Sequence, residues 1–275
     1  MKRSFLRCIL YSSLLLSSLP ALAQKDKTTV TFIGGAVFAP RLHYYGRVDS
    51  LKSNALIPTL LVQFDSAHLY LNGSAVLLSN KEQSMNYAGT ILEAGYKFGK
   101  DKGIAGNVFA NKFFYNTRQL PQSALKGQVG VNLSWLNSYV NVTGSASAAF
   151  SDKTDFFASA GLNHSFKWVK DKSVFLATPT FIAYAGSQNF TRTYYSYIPG
   201  IPIPNQVTEQ SRRFNMLSYE FNMPVVFARP HVFFIVTPAY VIPTNVVTVA
   251  GHPELSEQAQ NLFYANFTLL FSLKL

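Results

Sequence analysis

Residues 263–275 read FYANFTLLFSLKL. Phe263, Ala265, Phe267, Leu269, Phe271, Leu273 and Leu275 fall on one parity; Tyr264, Asn266, Thr268, Ser272 and Lys274 fall on the other, and only Leu270 breaks the alternation. Successive side chains of an extended chain point to opposite faces, so this is a strand with one apolar and one polar face. The pattern recurs upstream. In LKGQVGVNLSW, Leu125, Val129, Val131, Leu133 and Trp135 oppose Lys126, Gln128, Asn132 and Ser134. In YVNVTGSASAAF, Val140, Val142, Ala146, Ala148 and Phe150 oppose Asn141, Thr143, Ser145 and Ser147, and in YAGTILEAGYKF, Leu92, Ala94, Tyr96 and Phe98 oppose Glu93, Gly95 and Lys97.

Extended over the chain, this reading predicts twelve strands, near 28–39, 55–65, 67–78, 87–98, 104–115, 125–135, 139–149, 156–168, 173–185, 213–227, 231–242 and 261–275. Short turns (65–66, 99–103, 136–138, 169–172, 228–230) alternate with longer loops (40–54, 79–86, 116–124, 150–155, 186–212, 243–260). Most of these strands exceed the usual five or six residues and, when tilted, can cross an apolar band of about 25 Å. Hydrophobic residues make up 48% of the 275 and charged residues 13%, about half the charged share of an ordinary water-soluble surface.

Residues 1–23 carry Lys2, Arg3 and Arg7, then an apolar stretch, then Ala21-Leu22-Ala23, the pattern of a cleaved signal peptide whose apolar core is too short to span a bilayer as a helix. Its removal takes the net charge from +11 to +8, since three basic residues leave, and takes away Cys8, the one cysteine. Residues 24–275 then form one domain with neither disulfides nor thiolate metal sites.

Even strand number, alternating connection lengths and two-faced strands resemble the outer-membrane β-barrels of Gram-negative envelopes, over the whole mature chain and without a subfamily motif. The resemblance implies an all-β, closed antiparallel up-and-down barrel of about twelve strands in the outer membrane. Short turns would face the periplasm and long loops the exterior, and the last strand would close against residues 28–39. Phe64, Phe98, Trp135, Trp168 and Phe227 precede the five short turns on the apolar face, as in a periplasmic aromatic girdle. The implied partners are membrane lipid and the assembly machinery, with the chain as a monomer; such barrels usually end on an aromatic residue, whereas this chain ends on Leu275.

Twelve strands enclose a lumen between a filled interior and an open channel. Glu93, Glu220, Lys112 and Lys126 are expected in its wall, with Lys97, Arg212 and Arg213 as further partners for the carboxylates, either as a salt-bridge network or as a selectivity site. In the longest loop, Arg192, Tyr194, Tyr195 and Tyr197 could stack on and hydrogen-bond a polar ligand, or simply fold on the rim. His43 and His252 read as plain loop residues. His164 and Ser165, adjacent on a predicted strand, would face opposite sides and could not act together. No enzyme activity, cofactor, metal or nucleic-acid partner is expected. Pro179, Pro224 and Pro238 predict bulged, weakened pairing in strands nine to eleven, and a sharper reading settles the 186–212 loop in the lumen as its constriction. The function expected is a narrow passive channel for small polar solutes; the alternative is a non-conducting surface barrel that binds a partner or serves the envelope structurally through its loops.

Overall fold

The computed structural model describes residues 29–48, 52–99, 102–116, 121–189, 213–246 and 258–275; the expected signal segment lies outside them. In chain order the strands are β1 (Val30–Ala39), β2 (His43–Tyr44), β3 (Arg47–Val48), β4 (Asn54–Phe64), β5 (Leu69–Ser79), β6 (Asn86–Gly99), β7 (Gly103–Tyr115), β8 (Gly127–Leu136), β9 (Asn141–Phe150), β10 (Thr154–Asn163), β11 (Phe166–Lys170), β12 (Ser173–Ala177), β13 (Thr180–Gly186), β14 (Asn215–Asn222), β15 (Val225–Arg229), β16 (Val232–Pro243), β17 (Gln258–Ala259) and β18 (Leu262–Lys274). A 3-10 turn covers Pro121–Ala124.

Strands β10 and β11, β12 and β13, and β14 and β15 are paired halves of three interrupted staves, so the large sheet is a ring of twelve antiparallel staves. The ring closes where β1 pairs with β18, Thr31 opposite Lys274 through Phe38 opposite Phe267. Val30 and Leu275 exchange both backbone hydrogen bonds, at 3.2 and 2.9 Å. Closure leaves no edge of unpaired N–H and C=O groups, which an apolar surrounding could not satisfy. At this junction the backbones sit very close: a Cβ on Gly35 would lie 2.0 Å from the Leu269 carbonyl oxygen.

Side-chain parity divides the wall as the alternation requires. Leu60, Leu71, Leu92, Val108, Val129, Val142, Phe156, Phe221, Phe234, Leu269 and Phe271 are exposed on the outer surface. Thr59, Asn72, Glu93, Asn107, Asn132, Ser145, Ser159 and Glu220 point inward. This is an inside-out arrangement for a water-soluble protein, since apolar area normally leaves the surface.

The short turns gather at one end of the ring, the turn end, and the longer connections at the other, the loop end. Asp65 ties the turn end together: its carboxylate accepts from Thr31 Oγ1 at 3.0 Å and Gln63 Nε2 at 2.6 Å, and Lys274 Nζ lies 3.8 Å away. Phe64, Phe98, Trp135, Trp168 and Phe227 stand on the outer face beside the five short turns. Trp168 packs on Phe175 at 5.5 Å, and the Arg229 guanidinium sits 5.9 Å over Phe227.

The prolines depart from the expected bulges. Pro179 and Pro224 interrupt their staves outright, whereas Pro238 lies in unbroken β16, in register with Ala265 of β18. The register shifts fall elsewhere, at Val76/Leu77 and Tyr184/Ala185.

Candidate functional site: a polar lumen beneath an aromatic plug

The first long connection turns back into the barrel mouth. Strands β2 and β3 pair His43 with Val48 and Tyr44 with Arg47, and β17 adds to the β3 edge. The two residues at the tip, Tyr45 and Gly46, have φ of +53° and +78°, both in the left-handed region that a two-residue hairpin with the sheet's twist needs. A Cβ on Gly46 would also come 2.9 Å from Val241 Cγ1 and 3.0 Å from Pro243 Cβ, so glycine is what lets the tip lie against the wall.

The hairpin's side chains fill the mouth. Tyr45 stacks on Phe157 at 5.7 Å and meets Tyr184 at 5.2 Å, while Tyr44 lies edge-on to Tyr45 at 4.6 Å. Both tyrosines pack against a buried cluster of Ala124, Leu125, Ala149, Phe157 and Leu217, which draws on the wall and the connection before β8. Burial raises both phenols, Tyr45 to about 12, so they stay neutral hydrogen-bonding groups. Across the mouth the His43 ring lies 4.4 Å from that of Tyr264. Its Nδ1 accepts the Gly46 backbone N–H at 3.2 Å, and burial lowers its pKa to about 4.

Arg47 is 2% exposed. Its guanidinium donates to the backbone carbonyls of Tyr45 at 3.1 Å, Thr244 at 3.2 Å and Asn245 at 3.4 Å. It thereby ties the hairpin to the chain leaving β16. A buried cation is tolerated only when its donors are matched in this way. Asp155, also fully buried, accepts from Ser187 Oγ and the Asn189 N–H, both at 2.6 Å, holding the first residues of the longest loop to the rim.

Beneath the plug the lumen is polar. On one wall Asn132 Nδ2 donates to Asn107 Oδ1 at 3.1 Å, and Asn107 Nδ2 donates to the Tyr70 hydroxyl at 2.9 Å. Tyr70 in turn lies beside the Glu93 carboxylate. Thr59 donates to Asn72 Oδ1 at 2.8 Å and accepts from Ser74 at 2.9 Å. Further round, Gln128 bonds Ser147, Ser145 bonds Ser159 and Asn141 bonds Asn163, at 2.7 to 2.9 Å. Glu220 accepts from Asn222 Nδ2 at 2.7 Å and lies beside Tyr264, the residue under His43.

Glu93 and Glu220 thus face the lumen, but no salt-bridge network joins them: among the described residues neither has a lysine or arginine at ion-pair distance. Lys97 instead sits 5.4 Å over the Tyr70 ring and donates to Gln63 Oε1. Two expected wall cations are misplaced. Lys112 shares the parity of Ile104, Val108 and Phe114 and is exposed on the outer face, its ammonium 5.8 Å from the Phe114 ring. Lys126 lies at the loop end, paired with Asp152 at 2.8 Å, both groups more than half exposed. Parity decides the first; Lys126 keeps the polar parity of Gln128, and its height along the stave decides the second. Arg213 is exposed just before β14, while Arg192, Tyr194, Tyr195, Tyr197, Arg212 and His252 lie outside the described residues. So does most of the 186–212 loop; among the described residues the segment seated in the mouth is the 43–48 hairpin.

His43 is therefore part of the plug and not a plain loop residue. The usable signal was the YYG tip at Tyr44–Gly46: two adjacent tyrosines in a loop, followed by the glycine an inward hairpin turn needs. His164 and Ser165 fall in the break between β10 and β11, where strand alternation does not apply. They turn apart all the same, His164 edge-on to Phe166 at 4.7 Å and Ser165 to the Thr178 hydroxyl at 3.1 Å.

No protein-family model matches the chain, and no curated protein matches it. Solved structures do. The solved structures it resembles are outer-membrane barrels. LpxR from Salmonella typhimurium is 9% identical, with a TM-score of 0.46 over 89% of this chain and 99% of its own. The NanC porin is 9% identical, with a TM-score of 0.44 over 90% of this chain and all of its own. The beta domain of the Bordetella autotransporter BrkA is 7% identical, with a TM-score of 0.40 over 89% and 98%. All three scores lie below one half.

Proposed function

We propose that the protein is an outer-membrane barrel serving as a narrow, passive channel for small polar solutes, closed at its outer mouth in the state seen here by the 43–48 hairpin. The observation that supports this most is the contrast along the axis: a polar lumen wall capped by a plug seated only through noncovalent contacts. Asn107, Asn132, Glu93 and Glu220 face inward yet none of them is buried, as a wall that meets water requires. Two carboxylates with no basic partner among the described residues make the passage cation-favouring, despite the chain's positive charge.

Residues 24–275, inserted in a planar bilayer, should give rare openings. Replacing residues 43–48 by a short glycine-serine link should give sustained steps. In that opened barrel, Glu93→Gln with Glu220→Gln should lower the cation-to-anion permeability ratio, and an unchanged ratio would remove the carboxylates from selectivity. The aromatic packing of the plug favours a second reading, a sealed barrel whose loops bind a partner. A correctly folded, hairpin-deleted barrel with no conductance would establish that reading over the channel.

A further inference from the structure

Three staves break at neighbouring places: between β10 and β11 at His164–Ser165, between β12 and β13 at Thr178–Pro179, and between β14 and β15 at Met223–Pro224. Single backbone bonds cross these breaks. The His164 N–H donates to the Pro179 carbonyl at 3.3 Å, Thr178 to Pro224 at 3.0 Å and Met223 to Pro238 at 3.0 Å. Each proline accepts a bond and has no N–H to return one, so the ladder is thinned along a line crossing adjacent staves.

Over this line, on the outer surface, lies a groove of about 560 Å³. Its sides are outward-facing apolar residues, among them Leu162, Phe221 and Phe263, and its floor includes Thr180 and Asn222 from the lumen-facing set. Asn222 Nδ2 is 2.7 Å from Glu220 Oε1. An apolar groove outside and a carboxylate inside, with no ion-pair partner among the described residues, are thus one side chain apart across this thinned pairing.

We propose that this seam is a lateral portal between bilayer and lumen for small amphiphiles with a cationic head. The apolar part lodges between Leu162, Phe221 and Phe263, and the head passes Asn222 toward Glu220. A cation gains the attraction of the carboxylate; a neutral amphiphile gains only the apolar contact, and an anion is repelled. The proposal rests on reading the chain as a membrane-inserted barrel.

Residues 24–275 contain no cysteine, which permits a direct test in phosphatidylcholine vesicles. Thr180→Cys places a thiol at the seam, and Ser74→Cys places one on the lumen wall six staves away around the ring. N-dodecylmaleimide, which partitions into the bilayer, should modify the Thr180→Cys protein at least tenfold faster than the Ser74→Cys protein. Equal rates would overturn the portal, and Asn222→Cys replaces Thr180→Cys if the latter does not fold. Decyltrimethylammonium should slow labelling at the seam several-fold while decyl maltoside at the same concentration does not, and Glu220→Gln should abolish that difference. Equal protection by both amphiphiles would overturn the cationic preference. Failure of the parent chain to float with the vesicles would overturn the membrane reading itself; flotation with equal labelling rates overturns the portal alone.

Discussion

Arg47→Ala should release the plug. The guanidinium donates to the Tyr45 carbonyl within the hairpin and, across to the chain leaving β16, to the carbonyls of Thr244 at 3.2 Å and Asn245 at 3.4 Å. The bond inside the hairpin survives release, so the two crossing bonds set the loss. Hydrogen bonds to a charged group contribute about 1.5–3 kcal/mol each; water re-solvating the freed carbonyls at the rim brings the pair to the lower end, about 3 kcal/mol. At about 1.4 kcal/mol per decade, the ratio of open to closed barrels rises on the order of a hundredfold. Arg47→Lys keeps the charge but loses the planar fork that reaches two separate carbonyls, and should fall between the two, near tenfold. Open probability in planar bilayers, measured beside heat-modifiable gel mobility to show that the barrel is intact, reads this directly. An intact Arg47→Ala barrel whose open probability stays within threefold of the parent would refute the assignment of Arg47 as the plug's anchor.

Acidification should act on the same equilibrium through His43. Burial lowers its pKa to about 4, so between pH 6.5 and 4 the released hairpin takes up a proton that the docked one excludes. Docking is fully stable above the unperturbed value and weakens as pH falls, by up to about 1.4 kcal/mol per pH unit. Opening on acidification should vanish in His43→Gln, and a pH response that survived this change would assign the effect to another group. Gly35→Val should prevent closure of β1 on β18, since its Cβ would lie 2.0 Å from the Leu269 oxygen; a heat-modifiable band from this variant would contradict the register. For orientation, thiols at exposed Lys81 or Lys153 should label from outside intact cells and one at Asp171 should not. Ser187, an obvious loop choice from sequence, is buried against Asp155 and would label poorly either way. Reversed labelling would turn the plug toward the periplasm.

Lateral access and axial passage would share one carboxylate. Glu220 lies beside Tyr264, whose ring packs on that of His43, so the seam, the lumen and the plug meet within a few side chains. A cation arriving at Glu220 from the bilayer would stand directly under the hairpin.

The strands, their faces and the ring were legible in the sequence because a period of two is a strictly local property. Phe263 through Leu275 could alternate so regularly only if one face met apolar surroundings and the other did not. The same parity, followed without regard to charge, places Lys112 outside beside Val108 and Phe114. The three seam prolines were equally legible, for a missing N–H is a fact of composition. What only the tertiary structure decided is what lies across the ring. The 43–48 hairpin carries no periodicity, and its seat depends on Phe157, Tyr184, Val241 and Tyr264, brought around it from four distant strands. The break at His164–Ser165 contains no proline at all; it faces Pro179 of the next stave, and a neighbour's missing donor appears only when the strands are laid side by side.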